Sequence, residues 1–461
     1  MLECRNFIAT YIGHLFRKME VRKVSKIKEQ LLEKLENKTA KLGVVGLGYV
    51  GLPLAVEKAK AGYNVIGFDL QDQKVEMVNS GHNYIGDVVD AELSELVERG
   101  RIKATTDFSF VKDVDIVSIC VPTPLDKYKQ PDISYVVKST KDVAKYLHKG
   151  MLVVLESTTY PGTTEEVLKP ILEEGGLKCG IDFFLAFSPE RVDPGNKEFK
   201  TKNTPKVVGG CTEECTEIAA TLYRSILEGE VFTVSSPAVA EMEKILENTF
   251  RNINIGLVNE MAILCNRMGI DIWEVIEAAK TKPYGFMAFY PGPGLGGHCI
   301  PLDPFYLAWK AREYDYHTKL IETSGEINDY MPEFVVENIM KLLNKRKKAL
   351  NGAKVLMMGV AYKNDIDDMR ESPALKVIEQ LEKYGADIVY NDPYIPNFTH
   401  LGNEYISVNW EEQVESADIV LITTNHSCIN YEEVAEKAAV IYDTRNATKN
   451  VKNNRDKIFK L

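Results

Sequence analysis

Between the apolar run Leu42-Gly-Val-Val45 and a helical pattern that stops at Gly62 stands the turn Gly46-Leu-Gly48-Tyr-Val-Gly51. Glycines at this spacing are weak evidence alone. Here they follow a strand pattern and open a helix, with Pro53 tolerated in its first turn. A second strand pattern, Tyr63 to Asp69, then ends in an acid 18 residues after Gly51. Strand, glycine turn, helix and acid-tipped strand together specify a dinucleotide-binding fold. Gly46 and Gly48 allow the turn and the close approach of a pyrophosphate, to which the helix N-terminus offers N–H donors. The Asp69 carboxylate would accept hydrogen bonds from the ribose hydroxyls and repel a 2′-phosphate. The cofactor expected is therefore NAD, not NADP.

Strand–helix alternation continues through Asp115–Pro124, Met151–Thr158 and Phe183–Glu190. Each is an apolar run ending in a polar loop, which is where parallel sheets place their ligands. Thr123, Ser157, Thr158 and Glu190 stand at these ends. From Ala238 to Lys280 the pattern is helical throughout, with Glu241, Lys244 and Asn248 on one face. After Asn351 the alternation returns, with strands at Ala353–Lys363, Ala386–Asp392, Asp418–Thr424 and Ala439–Asp443 and a helix at Ser372–Tyr384. This half has no second glycine fingerprint, so a different nucleotide is expected on it. The fold class expected is α/β, two Rossmann-like doubly wound domains joined by a central helical region with a long helix. The boundaries expected are 1–39 for an N-terminal helical extension, 40–235, 236–330 and 331–461.

The 461 residues exceed one ordinary core, and 45% apolar with 27% charged residues is a globular composition. An excess of 67 acidic over 56 basic residues argues against a nucleic-acid partner. No apolar run approaches the ~18 residues that cross a bilayer, so no membrane partner is expected. Eight scattered cysteines suit a reducing, cytoplasmic setting. Cys211 and Cys215 have helical spacing but no matching pair, so no metal site is expected. The first 39 residues hold nine Lys/Arg and five Glu, and Val24, Ile27, Leu31 and Leu35 mark a short amphipathic helix packing on the first domain. Met19 is an alternative start.

The stretch Tyr290-Pro-Gly-Pro-Gly-Leu-Gly-Gly-His-Cys-Ile-Pro-Leu-Asp303 carries chemistry. Its glycines let a backbone approach a ligand closely, and a helical turn starting at Pro301 would bring Asp303 within reach of the Cys299 thiol. A Gly/Pro surface loop around an apolar cysteine is the plain alternative, and a solvated surface residue is the plain alternative for Lys244.

From about residue 40 to its end the chain resembles the UDP-glucose/GDP-mannose dehydrogenase family of nucleotide-sugar 6-dehydrogenases. The matching elements are Lys244-Ile-Leu-Glu-Asn248, Pro189-Glu190, the Cys299 loop with Asp303, Tyr362-Lys363, Arg370-Glu-Ser-Pro373 and Arg445. The resemblance implies an NAD-binding domain, a central helical dimerisation region and a C-terminal UDP-sugar domain. It implies oxidation of a sugar C6 alcohol through a Cys299 thiohemiacetal and thioester, with Lys244, Asn248, Asp303 and Glu190 as catalytic partners. Gly46, Gly48, Tyr49, Val50, Gly51, Asp69, Lys74, Thr123, Ser157, Thr158 and Arg370 would hold the cofactor. Glu190, Arg191, Lys244, Asn248, Tyr290, Gly294, Gly296, Gly297, Tyr362, Lys363 and Arg445 would meet the UDP-sugar. His298 in place of a family serine, with Ile366-Asp-Asp-Met-Arg-Glu-Ser-Pro373, looks like the branch acting on UDP-N-acetylhexosamines, and room around Gly296 is expected to admit the acetamido group. The product would serve surface polysaccharide synthesis, with UDP-N-acetylglucosamine the leading substrate and UDP-N-acetylmannosamine, UDP-N-acetylgalactosamine or UDP-glucose the alternatives. A homodimer or higher homo-oligomer is implied. Two readings compete: a two-electron hydroxyacid dehydrogenase, and a non-enzymatic nucleotide-binding protein.

Overall fold

The computed structural model describes residues 24, 26–86, 88–192, 196, 198–297 and 299–461. The chain forms two compact units, one up to Leu246 and one from Glu247.

The first unit is built on an eight-stranded sheet: β1 (Lys41–Val45), β2 (Asn64–Phe68), β3 (Ile102–Thr105), β4 (Ile116–Ile119), β5 (Leu152–Leu155), β6 (Phe184–Phe187), β7 (Lys206–Gly210) and β8 (Val231–Val234). The strand order is β3-β2-β1-β4-β5-β6-β7-β8, parallel except where β7 runs against β6. The order reverses between β1 and β4, and the glycine turn sits at that point. Helix α1 (Gly51–Lys60) follows directly from it. The strands alternate their burial: Leu152 and Val154 join one core cluster and Val153 and Leu155 the other. A parallel sheet covered on both faces demands such doubly apolar strands. Residues 26–36 form the expected amphipathic helix, with Leu31 and Leu35 buried in the first of these clusters.

Helix α2 (Pro237–Met268) runs for 32 residues, and the division between the units falls within it. The helical pattern expected to continue unbroken to Lys280 is interrupted. Gly269 takes a left-handed φ of 72°, and Asp271 caps a separate helix, α3 (Ile272–Lys280), by accepting from the N–H groups of Trp273 and Glu274.

The second unit contains α3, α4 (Asp303–Ala311), α5 (Lys319–Lys345) and a five-stranded parallel sheet. Its strands are β9 (Lys354–Met358), β10 (Asp387–Asn391), β13 (Ile419–Ile422), β14 (Ile441–Asp443) and β15 (Ile458–Lys460), in the order β10-β9-β13-β14-β15. A hairpin of β11 (Asn397–His400) and β12 (Asn403–Ile406) is inserted after β10. Ile419 and Leu421 of β13 face one cluster, and Val420 and Ile422 the other. The loops after β9 and β14 carry Tyr362-Lys363 and Arg445 at the carboxyl edge, flanking the reversal of strand order. Among the described residues no helix is long and apolar enough to cross a membrane.

Candidate active site

The three fingerprint glycines do different work. At Gly46, φ is +87° and an added Cβ would lie 2.5 Å from the Cys120 carbonyl oxygen after β4. At Gly51 a Cβ would lie 1.8 Å from the Gly46 oxygen, so helix and turn close on each other only without a side chain. At Gly48 no atom of the described residues beyond its chain neighbours lies within 4 Å of the added Cβ, which leaves space for a diphosphate to approach the backbone. Asp69, at the tip of β2, accepts from the Leu47 N–H (2.9 Å) and the Gln71 N–H (3.0 Å), so its carboxylate borders the glycine turn. Lys74 Nζ stands 4.0 Å from it. Tyr84 donates to the Leu47 carbonyl at 2.6 Å, and burial followed by the Asp69 charge pushes its phenol up. Tyr49 is exposed, and Val50 precedes α1. This cradle fits an adenosine diphosphate with free ribose hydroxyls. We expect NAD to be preferred over NADP by at least ~10-fold, the scale of one lost charged hydrogen bond. Equal kcat/KM for the two cofactors would refute this.

At the next strand ends, the Ser157 hydroxyl donates to the Val121 carbonyl (2.7 Å) and accepts from its N–H (2.9 Å). It thus stitches the loops after β4 and β5 together, beside the half-buried Thr123 and Thr158. Glu190, past β6, accepts through Oε1 from the N–H groups of Arg191 (2.8 Å) and Val192 (2.9 Å). Its other oxygen, Oε2, faces Lys206 Nζ at 3.5 Å. Arg191 donates to the Pro205 carbonyl and lies 3.5 Å from Glu243.

Of the predicted face of α2, Glu241 and Lys244 belong to the first unit. Glu241 is fully buried and accepts from the N–H groups of Gly162 and Thr164 and the Thr164 hydroxyl. Burial nevertheless pushes its carboxyl up to about 7. Lys244 is 6% exposed, so it is not a solvated surface lysine. Among the described residues its ammonium makes no hydrogen bond or ion pair.

The second unit assembles the cysteine loop. The Cys299 carbonyl accepts from the N–H groups of Leu302 (3.1 Å) and Asp303 (2.8 Å), which closes the expected turn and starts α4 at Asp303. The buried Asp303 carboxylate accepts from Asn248 Nδ2 at 2.5 Å, and Arg251 donates to Asn248 Oδ1. Two residues that sequence reasoning missed extend this stripe along α2. Asn252 donates to the Ile300 carbonyl at 3.0 Å, and Asn259 accepts from the Gly292 N–H at 3.0 Å. Their signal was present as buried polar positions continuing the spacing from Asn248.

The glycines of this loop accommodate the protein itself. A Cβ on Gly296 would lie 2.8 Å from Pro373 Cδ and 3.0 Å from Tyr362 Cβ, so the room expected there for an acetamido group is filled by side chains. Gly294 and Gly297 have φ of +137° and +94° and pack on Pro373 and Tyr362. Gly292 faces the Arg445 guanidinium. Arg445 donates to the Thr423 carbonyl at 3.0 Å and makes no ion pair among the described residues. Burial pulls it down to about 10, opposed by Asp443, so at neutral pH it remains a cation, its guanidinium without an ion-pair partner among the described residues. Tyr290 stacks on Trp273 and donates to Glu277 at 2.8 Å. Arg370 binds both oxygens of Asp368 within its own loop. His298 lies outside the described residues.

A dinucleotide cradle in one unit, and a cysteine loop packed on a second nucleotide-type sheet in the other, define a nucleotide-dependent oxidoreductase of two Rossmann-like domains. The chain belongs to the UDP-glucose/GDP-mannose dehydrogenase family. The family's NAD binding domain matches residues 40–227, its central domain 238–330 and its UDP binding domain 356–450. Its cofactor is NAD. UDP-N-acetyl-D-glucosamine 6-dehydrogenase of Pseudomonas aeruginosa is 41% identical over 359 residues, 78% of this chain and 84% of that protein. UDP-N-acetyl-D-mannosamine dehydrogenase of Pyrococcus horikoshii is 36% identical over 415 residues, 89% and 96% of the two chains. The solved structure of UDP-D-ManNAc dehydrogenase from that organism matches with a TM-score of 0.82 at 35% identity, covering 90% of this chain and 96% of that one.

Proposed function

We propose that this protein is an NAD-dependent UDP-N-acetylglucosamine 6-dehydrogenase, oxidising the C6 alcohol to the uronic acid in two steps through Cys299, for surface polysaccharide precursors. The observation that carries this reading is the turn that fastens Asp303 and Asn248 to the Cys299 backbone. NAD, when bound, accepts the hydride of each step. The Cys299 thiolate adds to the C6 aldehyde to give a thiohemiacetal, whose oxidation leaves a thioester; water then releases the carboxylate and restores the thiol. Lys244, a buried cation without a partner among the described residues, and the remaining N–H of Asn248 suit the developing oxyanion. Asp303 and Lys244 orient the attacking water, and Glu190 takes its proton. Arg445, with Lys363, Tyr362 and Arg191, meets the nucleotide diphosphate and sugar, and a guanidinium without a counter-ion among the described residues is suited to that role.

The choice of sugar leans on the Pseudomonas relative. UDP-N-acetylmannosamine is the second reading, favoured by the fuller coverage of the Pyrococcus relative. The two differ at one stereocentre, so single hydrogen bonds decide between them. The test is NADH formation from UDP-N-acetylglucosamine, its manno and galacto epimers and UDP-glucose. The expected result is two NADH per UDP-N-acetylglucosamine. Faster turnover of UDP-glucose than of every N-acetylated sugar would overturn the assignment.

The reading also includes a homodimer. On α2, Val239, Met242, Leu246, Phe250, Leu257, Leu264 and Met268 are all more than 40% exposed. Their steps of three, four and seven draw one apolar line suited to a second copy of the same helix.

A further inference from the structure

Sequence reasoning passed over a group of charges buried beneath Glu190. Lys206 opens β7 and is 3% exposed, and Glu156 follows β5 and is 1% exposed. Lys206 Nζ lies 2.8 Å from Glu156 Oε2, 3.5 Å from Glu190 Oε2 and 5.1 Å from the centre of the Tyr223 ring. The far oxygen of Glu156 accepts from the Tyr223 hydroxyl at 2.5 Å. Lys58, also fully buried, donates to Ser118 at 2.6 Å.

Sheet topology explains how the lysine arrives there. Because β7 is antiparallel to β6, its first residue lies at the edge where β5 and β6 end. The register pairs Ala186 with Gly210 and Phe187 with Gly209. Continued past the strands, it brings the Ser188 hydroxyl to the Val207 carbonyl (2.8 Å) and Arg191 to the Pro205 carbonyl (3.0 Å). The same register sets Glu190 opposite Lys206.

One buried ammonium, Lys206, thus meets two carboxylates, and Glu190 is the less buried of the two. A buried ion pair is costly to desolvate and is weak evidence for stability. A role in function accounts for it better. Glu190 Oε1 is held by two backbone N–H groups and Oε2 by Lys206, so both oxygens are fixed and the side chain has one orientation. We propose that Lys206, braced by Glu156, is a positioning residue that locks the Glu190 carboxylate for the hydrolytic half of the reaction. This rests on the function proposed above, in which Glu190 activates the water that releases the acid. Burial pushes Glu156 up and Lys206 down, and the paired charges outweigh it on both: Glu156 is held low by Lys206 and Lys58, and Lys206 is held high by Glu156 and Glu190.

The test uses the full-length enzyme with its UDP-sugar and separates the two halves of the reaction. In Lys206→Met, release of the acid is expected to slow on the order of 10²-fold, the scale of a misplaced catalytic group. The first hydride transfer, KM and NAD affinity should stay near wild type. Cys299 acylated by the sugar then accumulates and appears in the intact mass. Lys206→Arg should restore most of the release rate. Should Lys206→Met fold poorly, the charge-balanced Lys206→Met/Glu156→Gln variant provides the same measurement and should show the same loss. Equal slowing of both halves, or unchanged acid release, overturns the proposal. A wild type that forms no acid from any UDP-sugar removes the underlying function instead, which a variant-specific result does not.

Discussion

Replacing Cys299 by alanine is expected to abolish formation of the uronic acid while NAD and UDP-sugar still bind. The loop reaches Asp303 through the Cys299 backbone carbonyl, which accepts from the Asp303 N–H. Alanine keeps those two main-chain bonds, and the Asn248–Asp303 contact does not involve the thiol. The substitution therefore removes the nucleophile and leaves the scaffold standing. Without a thiohemiacetal the second oxidation lacks a bound intermediate. Turnover to acid should fall on the order of 10⁴-fold or more, the scale seen when a covalent nucleophile is deleted from a working set. NADH stoichiometry and product mass measure this, with calorimetry for both ligands. Ordinary turnover by the variant would sink the thioester mechanism.

The parts of this fold that could be read in advance are those where one signal sufficed. The strands β1, β2, β4, β5, β6, β9, β10, β13 and β14 lie within the apolar runs expected, because buried parallel strands are apolar on both faces. Other strands were missed because their composition is mixed. β7 opens on Lys206 and ends in Gly209-Gly210, and Phe232 and Thr233 of β8 are exposed. The break in the long helical stretch was legible, since Gly269 followed by Asp271 is a stop and a cap in succession, and the apolar periodicity on either side obscured it.

For the site, short-range relations were legible and long-range ones were not. Cys299 to Asp303 is one turn, and Lys244 to Asn248 is one turn of helix. Lys206 and Glu156 are separated by 50 positions, and only the antiparallel placement of β7 joins them. The glycines of the cysteine loop signalled close approach, and their spacing could not say to what. Here the approach is to Pro373, Tyr362 and Arg445.

The first fingerprint separates such meanings experimentally. Gly51→Ala should cripple the first unit. Its Cβ would stand 1.8 Å from the Gly46 carbonyl oxygen and 3.2 Å from Cys120 Cβ, so a main-chain atom rather than a yielding side chain is in the way. The turn cannot retreat easily, because Gly46 is itself pressed against the Cys120 carbonyl. Overpacking of this kind costs about 3 kcal/mol, so a clear drop in Tm is expected together with NAD affinity weakened on the order of 10²-fold. Gly48→Ala is the informative contrast. No atom of the described residues beyond its chain neighbours lies within 4 Å of its Cβ position, and its φ is outside the left-handed region, so the free protein should keep its Tm. The added methyl would occupy the space through which a diphosphate reaches the backbone N–H groups, so NAD affinity should still fall by about 10-fold or more, one lost charge-assisted hydrogen bond. Calorimetric NAD titration and thermal unfolding of the two variants give the four values needed. Normal NAD binding by Gly48→Ala would show that the open space beside this glycine is not where the cofactor lies.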